Sequence, residues 1–122
     1  MPESLRRRVV RPLSRATLRA AFGRSGLPVD IGEAGRFRMS PDFFFSGWEN
    51  FGDRHNSGFH ACLAEAKRCM CFLDIGAHIG LYSLPVSRRL RASGQVYTFE
   101  PSESNAGYLR KHVRMNSIEN IE

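Results

Sequence analysis

The chain has 122 residues, of which 42% are hydrophobic and 25% charged, a length and composition typical of one soluble globular domain. Its apolar runs are shorter than the roughly 18 residues that a membrane span requires, and no signal-peptide core follows the first arginines. Cys62, Cys69 and Cys71 cannot all pair within the chain, so we expect free thiols in a reducing compartment. These features predict a cytoplasmic protein.

The positive charge is concentrated in the first third of the chain. The formal net charge is +6, and residues 1–38 contain nine arginines against three acidic residues, which accounts for the whole excess. We interpret residues 1–38 as a basic N-terminal arm and loop. Such an arm can contact phosphates or an anionic membrane surface, an arginine-rich start is also typical of a transit peptide, and a solvated extension is the simplest interpretation.

The N-terminal segment predicts little regular structure. A short helix is expected from Ser14 to Gly23, with Ser14 as its cap and Gly23 as its end. Glycine and proline residues mark 25–35 as a loop. Phe37 and Met39 alternate with arginines, which indicates a short edge strand.

Residues 39–69 predict an aromatic segment followed by a leading helix over 56–69. Aromatic side chains can stack on nucleic-acid bases, but we expect these to pack against a core. The helical periodicity places Cys62 and Cys69 on the buried face. Their spacing to His55 and His60 matches no zinc pattern, so no metal site is predicted. The aromatic residues are Phe43, Phe44, Phe45, Trp48, Phe51 and Phe59.

Residues 70–122 alternate between strand and helix patterns. The apolar run 70–75 predicts a strand buried on both faces. The glycine turn 76–80 follows it, and then a helix with Pro85 in its first turn. Residues 95–99 predict a second strand ending at Glu100, and Pro101 and Ser102 open another helix. A third strand is expected to begin after residue 116.

This order of elements predicts the mononucleotide half of a doubly wound α/β fold. Glycines in the first turn let a ligand approach the backbone, and the helix that follows presents free amide groups. An acidic residue at the end of the second strand, here Glu100, can accept hydrogen bonds from both hydroxyls of a ribose. The predicted ligand therefore contains a ribose.

The spacing of the turn argues against a dinucleotide. His78 stands where the G-x-G-x-x-G pattern has its second glycine, and Asp74 lies two residues before the first glycine. The sequence Asp-Ile-Gly-Ala-His-Ile-Gly over 74–80 resembles that of the S-adenosylmethionine-dependent methyltransferases. The predicted fold class is therefore a Rossmann-like class I methyltransferase fold.

Residues 70–122 resemble the FkbM-type methyltransferase family more specifically. The resemblance rests on the turn, on the triplet Phe99-Glu100-Pro101 and on Asn116. His78 departs from the asparagine usual in that family.

The family resemblance implies roles for individual residues. Asp74 would bind the methionine amino group of S-adenosylmethionine, and Glu100 would bind the ribose hydroxyls. Gly76 and Gly80 would let the backbone approach the cofactor, with His78 between them in the same turn, and Pro101 would lie near the adenine.

The same resemblance implies an O-methyltransferase that acts on a hydroxyl of a sugar or secondary metabolite, that is, on a small-molecule acceptor. A complete domain of this kind needs about four further strands, each strand and helix unit taking roughly 30 residues. We therefore expect 70–122 to be the N-terminal half of a truncated domain, with an unpaired edge at Cys71–Ile75. The chain alone is expected to be marginally stable and inactive.

Two other functions fit parts of the sequence. An RNA methyltransferase resembling the tRNA guanine-N1 enzymes would use the basic and aromatic residues. However, Glu100-Pro101 stands where those enzymes have an acid-x-Asn-Pro sequence motif. A remnant or cofactor-binding module without activity is the other alternative.

Overall fold

The computed structural model describes residues 11–53 and 56–122. The described residues do not include Arg6, Arg7 and Arg8 of the predicted arm. They also do not include His55, one of the residues considered above for a metal site. In the described ranges, helices and strands follow the order α1 (Arg11–Phe22), β1 (Leu27–Asp30), β2 (Arg36–Met39), α2 (Phe59–Ala66), β3 (Cys71–Ile75), α3 (Ser83–Ser87), β4 (Gln95–Phe99) and α4 (Glu103–Met115).

The second half of the chain forms a parallel β-α-β unit. Strands β3 and β4 pair in register from Cys71 opposite Gln95 to Ile75 opposite Phe99, with α3 in the connection between them. A further parallel bridge joins Val96 to Ile121, on the segment that follows α4. The predicted Rossmann-like α/β unit is confirmed, including both strands and the start of a third extended segment.

One face of this small sheet is exposed, which corrects the expectation that β3 is buried on both faces. Leu73 is 58% exposed, Ile75 82% and Phe99 54%. The alternate positions Phe72 and Val96 pack into the core instead. In a strand, successive side chains point to opposite faces, and among the described residues no element covers the second face of β3 and β4.

Helix α1 begins before the residue predicted to cap it. It spans Arg11–Phe22, so Ser14 lies within the helix, and the predicted N-cap was wrong. The C-terminal end is as predicted, because the N–H of Gly23 donates to the carbonyl of Arg19 at 2.9 Å. A proline at the second position fits a first turn whose amide groups lack intrahelical acceptors.

The segment predicted as a loop over 25–35 contains strand β1. It pairs antiparallel with β2, from Leu27 opposite Met39 to Asp30 opposite Arg36. Alternate side chains of both strands are buried, and Phe37 and Met39 are 1% and 0% exposed. The edge strand predicted at Phe37 and Met39 is confirmed, and this hairpin belongs to the hydrophobic core.

The aromatic segment packs partly into the same core. Phe51 and Phe59 are buried, with ring centroids 4.9 Å apart, and Phe59 also meets Tyr82 at 5.2 Å. Phe44 and Phe45 are each 42% exposed, so the predicted packing is confirmed for the inner rings only. The leading helix is shorter than predicted, because α2 spans Phe59–Ala66.

The described residues hold no helix with the length and apolar character needed to cross a membrane. The same residues contain no group of three or more histidine, cysteine, aspartate or glutamate side chains arranged to bind a metal.

Candidate functional site

The turn after β3 has an unusual backbone conformation. Gly76, His78 and Gly80 have φ angles of 82°, 52° and 99°, all in the region that favours glycine. The N–H groups of Gly76 and Ala77 both donate to the carbonyl of Phe99, at 2.8 and 3.2 Å, so the turn continues the pairing of β3 with β4. The N–H of Gly80 also donates to the carbonyl of Ala77, at 2.9 Å, so the turn is closed by backbone contacts next to the strand ends.

The two glycines of the turn have different surroundings. A Cβ on Gly80 would lie 2.7 Å from Leu109 Cδ1 and 3.2 Å from Leu84 Cγ, so Gly80 allows the turn to pack against α4. A Cβ on Gly76 would meet no atom within 4 Å. The backbone at Gly76 therefore leaves open space beside the end of β3, where a ligand can approach.

Asp74 lies on the inner face of β3, next to the start of α3. It is partly buried, and the hydroxyl of Ser83 donates to its Oδ2. Burial raises the pKa of Asp74, and the negative charge of Glu100 adds to that rise, while the hydrogen bonds from Ser83 lower it. The carboxylate form of Asp74 is thus disfavoured by its surroundings.

Glu100 occupies the end of β4 and is held by backbone amides. Its Oε2 accepts the N–H of His78 at 2.7 Å, and its Oε1 accepts the N–H of Ser102 at 2.8 Å. These two contacts lower the pKa of Glu100. Ser102 in turn caps α4, because its hydroxyl accepts the N–H of Asn105 at 3.4 Å.

The predicted site residues lie together at the carboxyl end of the parallel strands β3 and β4. Asp74 and Glu100 lie at the carboxyl ends of adjacent parallel strands, and their charges interact. The turn that carries Gly76, His78 and Gly80 connects to both strands through the contacts above. Pro101 follows Glu100 and is exposed.

Two contributors to the site escaped the sequence analysis. Ser83 could have been suspected from its place at the start of α3, because hydroxyls near a helix start commonly accept or donate local hydrogen bonds. His112 contacts the turn through the carbonyl of Ile79 at 2.9 Å. Its helical spacing predicts burial alone and carries no signal for that contact.

A groove of about 410 Å³ lies beside Glu100, between α4 and the end of β4. Its walls combine apolar side chains with two glutamates, Glu100 and Glu122, and two arginines. The lining residues include Thr98, Glu100, Leu109, Arg110, Val113 and Arg114.

Comparisons with known proteins give similarities to solved structures only, since no family model and no curated protein matches this sequence. A putative O-methyltransferase from Klebsiella pneumoniae is 23% identical over 56% of this chain, with a TM-score of 0.49. An O-methyltransferase from Bacillus cereus in complex with SAH is 24% identical over 56% of the chain, with a TM-score of 0.49. A SAM-dependent methyltransferase from Aquifex aeolicus is 26% identical over 52%, with a TM-score of 0.46.

The aligned part covers 32%, 32% and 35% of those three proteins, so this chain spans about a third of their length. Because all three TM-scores lie below 0.5, we assign function from the geometry of the site.

Proposed function

We propose that the turn between β3 and α3 binds S-adenosylmethionine and that this chain contributes the cofactor-binding part of a methyltransferase. One observation carries the proposal: Asp74 and Glu100 lie at the carboxyl ends of adjacent parallel strands, on either side of a turn that is open at Gly76. In open α/β sheets, ligands bind at this edge of the sheet.

Asp74 suits the amino group of the methionine part. Its charge is disfavoured by burial and by Glu100, and no lysine or arginine contact offsets it among the described residues. A ligand ammonium placed against the carboxylate would restore the missing positive charge. Asp74 therefore gains more from a cationic ligand than a fully solvated carboxylate would.

Glu100 suits the two hydroxyls of the ribose. Each oxygen of an ionised carboxylate has about two acceptor positions, and each oxygen of Glu100 uses one of them for a backbone amide. The side chain of Asn105 also acts on this carboxylate, and the acceptor positions that remain can accept hydroxyls. The amide contacts also fix the carboxylate before the ligand arrives, which lowers the cost of ordering it on binding.

The chemistry that follows from this assignment is methyl transfer. When bound, S-adenosylmethionine would supply an electrophilic methyl carbon on its sulfonium. The proposed reaction is O-methylation of a hydroxyl on a sugar or secondary metabolite, in an enzyme of FkbM type, with Gly76, His78 and Gly80 shaping the cofactor turn and Pro101 next to the adenine. The role of the chain is then to hold the methyl donor in place for an acceptor.

Three arginines near the N-terminal hairpin are engaged in contacts within the fold. Arg19 and Arg36 are paired with Asp42 and Asp30 within the fold. Arg38 donates to the backbone carbonyls of Ser25 and Gly26. These intramolecular contacts reduce the basic surface that is left for a polyanion.

Isothermal titration with S-adenosylhomocysteine tests the proposal. Substituting Glu100→Gln or Asp74→Asn should weaken binding by roughly 10- to 100-fold, since a hydrogen bond to a charged group contributes about 1.5–3 kcal/mol. Glu103→Gln, an exposed acidic residue in the first turn of α4, is the matched control and should bind like the wild type.

Absence of binding by the wild-type chain would refute the proposal, as would unchanged affinity in Glu100→Gln. Circular dichroism of each variant separates a lost contact from a lost fold.

A further inference from the structure

His112 is fully buried where α4, the glycine turn and the end of β2 meet. The side chain is 0% exposed. Its Nδ1 lies 2.9 Å from the carbonyl oxygen of Ile79, and its Nε2 lies 3.0 Å from the backbone nitrogen of Ser40. Both ring nitrogens therefore have backbone partners, from segments that are far apart in the sequence.

The two partners define the protonation of the ring. The carbonyl of Ile79 can only accept a hydrogen bond, so Nδ1 must carry the proton. The amide of Ser40 can only donate, so Nε2 must be unprotonated. The imidazole is thus neutral, with its hydrogen on Nδ1, and burial lowers the pKa of His112 in the same direction.

We propose that His112 is a positioning residue for the glycine turn 76–80, which is the proposed cofactor site. It holds the carbonyl of Ile79, while Glu100 holds the N–H of the preceding residue, His78. Two consecutive residues of the turn are fixed in this way, one by a side chain of α4 and the other by the side chain that follows β4. The consequence for cofactor binding rests on the proposed function, whereas the effect on the turn does not.

The surroundings of the ring offer little support for an imidazolium. Phe43 and Tyr108 contact it, with ring centroids at 5.7 and 6.1 Å. Burial, the largest effect, and the charge of Lys111 oppose protonation, whereas the carbonyl of Ile79 and the charge of Asp42 favour it. The carboxylate of Asp42 is already engaged by Arg19, Tyr108 and Ser40. Protonation would also set Nε2–H against the N–H of Ser40.

The position therefore predicts a pH-dependent contact between α4 and the segment that follows β2. As the pH falls through the lowered pKa of His112, the contact of Nε2 with the N–H of Ser40 should break, whereas Nδ1–H continues to donate to the carbonyl of Ile79. The described groups that shift the pKa of the ring are Asp42 after β2, the carbonyl of Ile79 in the turn and Lys111 on α4.

Nitrogen-15 NMR of the imidazole in the wild-type chain tests the tautomer directly. The expected spectrum near neutral pH shows a neutral ring with its proton on Nδ1. A proton on Nε2, or an imidazolium, would overturn the proposal.

Amide hydrogen exchange at His78 and Gly80 tests the effect on the turn. His112→Leu removes both ring contacts and should speed exchange roughly 5- to 10-fold, the change expected for one hydrogen bond of about 1 kcal/mol. In His112→Gln the side-chain amide can donate to Ile79 and accept from Ser40, so exchange should return toward that of the wild type. Equal exchange in all three proteins would contradict the proposal.

The affinity for S-adenosylhomocysteine separates this inference from the proposed function. If the turn forms the cofactor site, affinity should fall in His112→Leu and recover in His112→Gln. If the wild type binds no cofactor, the proposed function fails, and the tautomer and the exchange rates still decide the role of His112. If His112→Leu does not fold, the tautomer of the wild type and the amide exchange of His112→Gln test the positioning role of His112.

Discussion

Replacing Gly76 and Gly80 of the glycine turn one at a time should give different losses of stability. Gly80 and Gly76 share a positive φ, at 99° and 82°. A methyl group on Gly80 would lie 2.7 Å from Leu109 Cδ1, whereas the same group on Gly76 would meet no atom within 4 Å. The two Gly→Ala variants therefore share backbone strain and differ in steric overlap.

The magnitudes follow from these two contributions. An L-residue in the left-handed region costs about 1–2 kcal/mol, and overpacking a filled core costs about 1–3 kcal/mol. Leu109 and Leu84 are 4% and 0% exposed, so neither can move away into solvent. Gly76→Ala should lower the free energy of unfolding by about 1–2 kcal/mol, and Gly80→Ala by about 2–5 kcal/mol.

Urea unfolding followed by circular dichroism measures both losses. The comparison is valid when the two variants share the wild-type dependence of free energy on urea, because that slope reports the surface exposed on unfolding. A loss in Gly76→Ala equal to or larger than that in Gly80→Ala would refute the assignment of Gly80 as the packing glycine.

Three further changes have defined outcomes. Asn116→Ala should lower the free energy of unfolding by about 1–3 kcal/mol, because the Asn116 side chain accepts the N–H of Arg38 at 2.8 Å and donates to the carbonyl of Arg38 at 2.7 Å. Asn116→Asp keeps the acceptor alone, so its free energy of unfolding, measured with urea, should lie between those of the wild type and Asn116→Ala. Burial raises the pKa of Asp74 in the folded chain, so the charge of Asp74 destabilises the fold at pH values above the pKa of the unfolded chain. Near neutral pH, Asp74→Asn should therefore unfold at a higher urea concentration than the wild type. This gain in stability should vanish below the pKa that Asp74 has in the unfolded chain. Lysine at Leu73 and Ile75 together should reduce the fluorescence of a bound hydrophobic dye without loss of stability, because both side chains are exposed, and unchanged fluorescence would contradict an apolar face at these positions.

The β-α-β unit could be predicted from the sequence because its signals are local. Strands β3 and β4 are short runs of apolar and β-branched or aromatic residues, and the glycine turn between them interrupts the pattern at a defined place. The hydroxyl of Ser102 caps α4 within one turn of its own position. Each of these features depends on neighbours within a few residues.

The hairpin and the exposed sheet face depend on distant contacts. The strand at Phe37 and Met39 was predicted, but the predictions of a loop over 25–35 and of a β3 strand buried on both faces were wrong. Strand β1 has four residues, one of them Pro28, and its local preference is that of a turn. It becomes a strand because β2 supplies hydrogen bonds and a buried face. The apolar residues of β3 predicted burial on both sides, but apolar character alone does not show what covers each face.

The two carboxylates of the candidate site, to which the family resemblance gives different roles, also differ in their electrostatic surroundings. Glu100 is already stabilised as a carboxylate by two backbone amides, so the fold gains from its charge. Asp74 is partly buried beside a like charge, so the fold loses by its charge. A cationic group bound at Asp74 would remove that loss, whereas a group bound at Glu100 would add hydrogen bonds to an acceptor already in place. Positive charge in the ligand is therefore expected to act mainly through Asp74, and hydroxyl groups mainly through Glu100.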